Sequence, residues 1–197
     1  MVMSSKIIFR YGAMGSGKSS FLIGTYYNYL NLGKTPIVIA PSNQIGIIKS
    51  RSGASIPCIT IDEFNDTIKD VDVVLVDEAQ FLSKEDVEYL MYFSILFDVP
   101  IIAYGLKTDS AGELFEGSRE FFRIADKVEE LPTLCPCGHK ARFNLRFVDG
   151  KPDFSGGTVL REEENVQYVS VCRDCFYKIK NGKLDYKNYI KFDNSEV

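Results

Sequence analysis

Short, nearly continuous apolar runs alternate along this chain with longer segments of helical periodicity, the pattern of parallel strands covered by helices on both faces. Lys6-Ile7-Ile8-Phe9-Arg10-Tyr11 predicts a first buried strand, and Ser20 to Leu32 a helix that stops at Gly33-Lys34. Pro36 to Pro41, apolar, β-branched and bounded by prolines, predicts a second strand and closes a βαβ unit. Ser42 to Ser55 is polar and aperiodic, so it is expected to be a loop near the strand ends, with Arg51 a candidate phosphate contact. Cys58-Ile59-Thr60 predicts a short strand, and Thr60-x-x-Glu63 spells a capping box for a helix through about Ile68.

The run Val71 to Val76 is the strongest strand signal and suits a central strand buried on both faces. Ser83-Lys84-Glu85-Asp86 predicts another helix start, and its stripe of Val87, Leu90, Met91, Ile95 and Leu96 is expected to be core. Val99 to Leu106 predicts the next parallel strand, with Lys107 to Ser110 as a strand-end loop. Gly112 to Ala125, carrying Phe115, Phe121, Phe122 and Ile124, is expected to be a helix that covers the sheet. No internal repeat interrupts this alternation, which predicts a doubly wound α/β fold.

Composition narrows the class. The 197 residues can bury a substantial core, and a net charge of -4 argues against a protein that wraps nucleic acid by charge alone. The first residues lack a long apolar signal core, and no apolar run is long enough to span a bilayer, so a cytoplasmic protein with no membrane and no nucleic-acid partner is expected. In a reducing compartment the five cysteines are expected to be metal ligands where they are paired, rather than disulfides.

Two stretches carry the chemistry. Gly12-Ala13-Met14-Gly15-Ser16-Gly17-Lys18-Ser19 satisfies the phosphate-loop pattern G-x-x-x-x-G-K-[ST], with a predicted strand before it and a helix after it. Gly12, Gly15 and Gly17 let backbone N–H groups approach a polyphosphate, Lys18 can reach the β/γ-phosphates, and the Ser19 hydroxyl suits Mg²⁺. The central strand ends in Asp77-Glu78. Asp77 is placed to hold Mg²⁺ directly or through water, and Glu78, leaving the strand, is a candidate general base.

Beyond Leu131-Pro132 the character changes. Cys135-x-Cys137 and Cys172-x-x-Cys175 are two close pairs that together suit a tetrahedral structural Zn²⁺, with a redox pair as the alternative. His139 is read as a surface neighbour of the first pair, and Cys58, distant from other ligands, as a small buried hydrophobe. The segment through Asp149-Gly150 and Gly156-Gly157 is expected to be a loop clamped by the metal, able to act as a lid. The residues after Tyr177 carry no chemical signal.

These features point to an ATP- or GTP-dependent enzyme. A small-molecule kinase suits the chain size, while a motor ATPase would need coupling elements such as an arginine finger, a helicase reading of Asp77-Glu78-Ala79-Gln80 would need a second motor domain, and a non-catalytic nucleotide-controlled module would not need Glu78. Tyr11-x-Ala13-Met14-x-x-Gly17-Lys18-Ser19, Asp77-Glu78-x-Gln80-Phe81, Tyr104-Gly105-Leu106-x-Thr108-Asp109 with Gly112-Glu113-Leu114-Phe115, and the cysteine pairs with Tyr168-Val169-Ser170-Val171 together resemble the zinc-containing thymidine kinases, especially bacterial and phage members.

The resemblance, which runs from about Lys6 to about Phe176, implies a P-loop NTPase-like (RecA-like) α/β domain over 1–131, a zinc-ribbon or lasso domain over 132–180 and a tail over 181–197. It implies transfer of the ATP γ-phosphoryl group to the 5′-hydroxyl of thymidine with Mg²⁺, in nucleotide salvage. It also implies that Gly12, Ala13, Met14, Gly15, Ser16, Gly17, Lys18 and Ser19 with Asp77, Glu78, Ala79 and Gln80 hold the nucleotide and that Glu78 accepts the proton. Phe81, Leu106 and Tyr168 would line the nucleoside, Cys135, Cys137, Cys172 and Cys175 would bind zinc, and the assembly would be a homotetramer. The Asp-x-Arg spelling common after the second strand is absent, which leaves Arg51 as the candidate phosphate contact, and two departures bear on the acceptor: Ser110 stands where the family commonly has Phe, and Glu163-Glu164 occupy the place of a Gly-Gly. A deoxynucleoside kinase of broader or shifted base specificity is the alternative they support.

Overall fold

The apolar runs become a parallel sheet because each is flanked by helices that cover both of its faces. The computed structural model describes residues 6–41, 46–50, 53–64, 70–156 and 165–192. It divides into two compact units, one of Met1–Tyr11, Gly17–Gly105 and Glu116–Glu130, the other of Gly12–Ser16, Leu106–Phe115 and Leu131–Val197.

In the first unit, strands β1 (Ile7–Tyr11), β2 (Pro36–Ile39), β5 (Val73–Val76), β6 (Ile101–Gly105) and β7 (Lys127–Glu130) form a sheet in the order β2-β5-β6-β1-β7. All its pairings are parallel. Alternation along the strands sorts their side chains. Ile7 and Phe9 of β1, Val74 and Val76 of β5, and Ile101 and Ala103 of β6 share a core with Val87, Leu90 and Phe93 of α2 (Lys84–Phe97) and Phe121 of α3 (Glu116–Ile124). On the other face Tyr104, fully buried, accepts a hydrogen bond from Arg10 at 2.8 Å and lies 3.0 Å from the Thr25 hydroxyl of α1 (Lys18–Asn31). Helices therefore cover both faces, as the alternation predicts.

Four local expectations change. The stretch from Ser42 to Ser55 holds an antiparallel hairpin of β3 (Gly46–Lys49) and β4 (Ser55–Cys58), because Ile48 and Ile56 pair and are both buried; Arg51 itself lies outside the described residues. The Thr60–Glu63 capping interaction forms, with Glu63 accepting from the Thr60 backbone at 2.7 Å, but Ile61 to Glu63 is a turn, and residues 65–69 lie outside the described residues. In α2 the Ser83–Asp86 capping box is present. Its inner face is Val87, Leu90, Phe93 and Ser94, whereas Ile95 and Leu96, 66% and 72% exposed, stand outside the core because they fall off the stripe that faces the sheet. Finally, α3 begins only at Glu116, and Phe115 belongs to a turn closed by a Thr108–Leu114 bridge in the second unit.

The second unit is built on an antiparallel sheet ordered β10-β8-β9, from β8 (Phe143–Val148), β9 (Lys151–Asp153) and β10 (Val166–Val171), followed by α4 (Arg173–Lys180). The expected lid segment thus begins as a hairpin, with Asp149 and Gly150 both at positive φ, the geometry of a tight two-residue turn. Gly157 to Glu164, including Glu163 and Glu164, lie outside the described residues. Leu145, Phe147, Val169 and Val171 face a core with Phe176 and Ile179 of α4. The stretch after Tyr177 contributes to it: Leu184, Tyr186 and Ile190 pack against this core and Tyr189 is buried within it.

One close approach in the first unit controls the site-bearing turn. A Cβ built on Gly117 of α3 would lie 2.3 Å from the Ala79 carbonyl and 2.8 Å from that of Leu82, so only glycine lets α3 dock on the 3₁₀ turn Ala79–Phe81. Gly117→Ala is expected to destabilise the protein by about 1–3 kcal/mol through this overpacking, measured as a lowered denaturant midpoint, and to reduce turnover more than a surface substitution such as Lys84→Ala.

Candidate active site

The end of β5 places the first chemical group. Val73 to Val76 are all fully buried, and the next residue, Asp77, is carried into the interior with 2% exposure. Burial foremost, then the neighbouring Glu78 carboxylate, push its carboxyl up to about 7, while Lys18 and the Ser19 hydroxyl pull it down. The Ser19 hydroxyl, in the first turn of α1, donates to Asp77 Oδ2 at 3.4 Å, and among the described residues Asp77 Oδ1 is buried without a hydrogen-bond partner. An orphaned carboxylate oxygen beside a hydroxyl is a donor set that fits a hard divalent cation such as Mg²⁺.

Glu78 follows in the left-handed region at φ 45° and ψ 42°. That conformation costs a non-glycine residue on the order of 1–3 kcal/mol, and it turns the chain sharply off the strand. Gln80 Nε2 donates to Glu78 Oε2 at 2.6 Å, fixing the carboxylate that the turn has redirected. Gln80 is itself buried, and Gly105 at the end of β6 makes room for it, since a Cβ there would sit 3.0 Å from the Gln80 amide oxygen. Ala79 is buried and Phe81 half-buried in the same turn. The first unit thus brings together Ser19, Asp77, Glu78 and Gln80, with Lys18 acting electrostatically on Asp77.

The second unit holds Gly12 to Ser16. Gly12 is irreplaceable there, because a Cβ would meet the Ser16 Oγ at 2.4 Å and the Leu131 carbonyl at 2.5 Å. The Met14 N–H donates to Asn144 Oδ1 at 2.8 Å and the Ser170 hydroxyl donates to the Met14 carbonyl at 2.6 Å. Neither Asn144 nor Ser170 belongs to the phosphate-loop pattern; Ser170 falls in the Tyr168–Val171 segment of the resemblance without a role, and Asn144 is marked only by its polarity between Phe143 and Leu145. Tyr168 is half-buried on β10, opposite Arg146, which is ion-paired to Asp153 at 3.1 Å. Leu106 is half-buried at the start of the turn in which Asp109 Oδ1 accepts from the Ala111 and Glu113 backbones, both at 2.9 Å, and Ser110 is buried there.

The two cysteine pairs converge. Among the described residues Cys135, Cys137, Cys172 and Cys175 place their Sγ atoms within 4.8 Å of one another, with Cys137 at 3.3 Å from Cys135 and 3.7 Å from Cys172. Ligands about 2.3 Å from a tetrahedral Zn²⁺ stand about 3.8 Å apart, so the donor set fits zinc. Backbone hydrogen bonding from His139 leads in lowering the Cys137 thiol to about 6, whereas burial raises Cys135 and Cys175. A bound cation would offset that cost of ionising the buried thiols. His139 is exposed, its Nδ1 3.4 Å from Cys137 Sγ, so it neighbours the cluster as expected.

Two further groups support the cluster. Lys107, Arg142, Arg173 and Lys178 line the cavity beside it, a cationic surround for a tetrathiolate. The Tyr189 hydroxyl donates to Cys175 Sγ at 3.1 Å, and burial together with that sulfur raises its own proton affinity. Nothing in the sequence marks Tyr189, since its partner lies 14 residues away in the chain and no spacing rule joins them.

A family model for thymidine kinase matches residues 5–176. The chain is 38% identical to a thymidine kinase of Haemophilus influenzae over 91% of its own length and all of the relative's. It is 39% identical to that of Enterobacteria phage T4, over 86% of this chain and 94% of the relative, and 36% identical to that of Lactococcus lactis, over 88% and 98%. Among the described residues no helix is long and apolar enough to cross a membrane. With a matched segment that contains the phosphate-loop motif, the Asp77–Glu78 turn and all four clustered cysteines, the chain belongs to the thymidine kinase family.

Proposed function

We propose that this chain transfers the γ-phosphoryl group of ATP to the 5′-hydroxyl of thymidine, giving dTMP and ADP. The observation that carries the reading is the buried Asp77, with its unpartnered oxygen, beside the Ser19 hydroxyl at the start of the phosphate-loop helix. In a family of nucleoside kinases that pair is suited to Mg²⁺, which would neutralise phosphate charge when bound.

The chain's own residues do the rest. The loop from Gly12 to Gly17 offers backbone N–H groups to the phosphates, apart from those of Met14 and Ser16, which Asn144 and the Ala13 carbonyl take, and Lys18 adds a point charge at the β/γ end. As the 5′-oxygen bonds to the γ-phosphorus and the bond to the β,γ-bridging oxygen breaks, the 5′-hydroxyl proton passes to the Glu78 carboxylate. Gln80, donating to Glu78 Oε2, keeps the carboxylate in one rotamer for that transfer. Phe81, Leu106 and Tyr168 are assigned to the nucleoside. Cys135, Cys137, Cys172 and Cys175 would hold a structural Zn²⁺, which would tie the Cys135–Cys137 turn to the start of α4. Exposed apolar side chains on α1 (Phe21, Tyr27, Leu30) and α2 (Tyr92, Ile95, Leu96) support self-association, and a homotetramer is the assembly proposed. Ser110, in place of an aromatic residue, supports a second reading with broader base specificity. A panel of nucleosides assayed with MgATP decides between the two: thymidine alone as acceptor supports the first, and comparable turnover of other deoxynucleosides the second.

Glu78→Gln removes the proton acceptor while keeping the side-chain shape. It is expected to lower kcat by about 10²- to 10⁴-fold with nucleotide and thymidine affinities retained, and near-normal turnover of the purified variant would refute the assignment. Cys172 caps α4, its Sγ accepting from the Cys175 N–H at 3.4 Å, and serine is a good cap in its own right. Cys172→Ser therefore isolates the metal: elemental analysis is expected to give well under one zinc per chain and calorimetry a lowered Tm. A fully active, stable and zinc-free variant would rule out the structural site.

A further inference from the structure

The phosphate loop is gripped from outside by a polar strip of the second unit. Asn144 on β8 and Ser170 on β10 are directly opposite in the antiparallel register, and both are buried. The Asn144 side chain takes the Met14 N–H at 2.8 Å, the Ser170 hydroxyl gives its hydrogen to the Met14 carbonyl at 2.6 Å, and the two side chains are 3.4 Å apart. The Thr133 hydroxyl, 3.5 Å from the Gly15 carbonyl, adds a longer contact.

The Met14–Gly15 peptide is a weak point in any anion-binding turn. Gly15 sits at φ 73°, and glycine accepts either sign of φ at little cost, so this peptide can rotate more easily than one between two ordinary residues. A trans peptide is planar, with its C=O and N–H directed to opposite sides. Holding the Met14 carbonyl on Ser170 therefore directs the Gly15 N–H the other way. A half-turn of the same peptide would exchange them and present a carbonyl dipole where a phosphate needs a donor.

We propose that Ser170 is a positioning residue that locks the Met14–Gly15 peptide in its anion-receptive orientation before nucleotide arrives, while Asn144, which accepts the N–H of the preceding Ala13–Met14 peptide, steadies the other side of Met14. The proposal rests on the reading of Gly12 to Ser19 as the ATP phosphate loop. Neither side chain touches the nucleotide in this scheme. Their effect falls on phosphate affinity through preorganisation, and not on proton transfer at Glu78. The register also ties the loop to the cysteine cluster, since Cys172 follows Ser170 by two residues, just past the end of β10.

Ser170→Thr and Ser170→Val add the same volume, but only threonine keeps the hydroxyl. Titration of the full-length protein with MgADP, together with steady-state kinetics and Tm, separates the hydroxyl from packing. Ser170→Val is expected to bind MgADP about tenfold more weakly, with KM for ATP raised by a similar factor and KM for thymidine unchanged. Ser170→Thr is expected to stay within about twofold of the parent and to lose less Tm than the valine variant, which also leaves the Met14 carbonyl without its donor. Equal MgADP affinity of the two variants would overturn the proposal. If Ser170→Val does not fold, Ser170→Ala against the parent gives the same comparison, and unchanged affinity there would be equally decisive. A parent protein that binds no MgADP would instead refute the phosphate-loop reading itself.

Discussion

A carboxylate removed from water is stable as an anion only when something positive replaces the solvent, and Asp77 places that demand at the centre of the first unit. Its burial follows from Val73 to Val76, which are covered on both faces and flanked by β2 and β6, so the strand cannot end anywhere but inside the protein. Lys18 and the Ser19 hydroxyl meet part of the demand, and the unpartnered Oδ1 is the remainder. The cation-binding character of the turn is thus a consequence of how deeply the strand is buried.

The surrounding features serve the same turn. Parallel strands all end on one edge, which puts the ends of β5 and β6 side by side, with Gln80 packed against Gly105. Glu78 takes a left-handed conformation immediately after Asp77, so two adjacent carboxylates leave in different directions and can do different chemistry. That strained step is held from behind by α3, whose Gly117 allows contact with the Ala79 and Leu82 carbonyls. In the second unit the organising force differs: a modest core is supplemented by four sulfurs, and the buried Tyr189 hydroxyl reaches one of them from the C-terminal stretch.

Most of the parallel sheet was legible in the sequence because continuous β-branched runs have few alternatives, and the phosphate loop, the Asp77–Glu78 pair and the cysteine pairs were legible because each is a local spelling. Where two structures share one local pattern, the sequence does not choose between them. Ile95 and Leu96 have helical spacing yet lie outside the core, and Ile47 and Ile48 in a polar stretch turned out to pair in a hairpin. The helix expected from Gly112 begins only at Glu116, because the preceding residues close a turn instead.

The sequence by itself determined which groups are available: glycines for close approach to an anion, a lysine and a serine after them, a carboxylate pair at a strand end, and four thiols in two pairs. These are chemical identities and short spacings, and they survive without a fold. Only the tertiary structure decided which partners those groups meet. Asn144 and Ser170 reach Met14 across 130 and 156 residues, and Tyr189 reaches Cys175 from a stretch with no motif. Such contacts depend on strand register and on the burial that makes an unmet hydrogen bond costly, and neither quantity exists until the chain has folded.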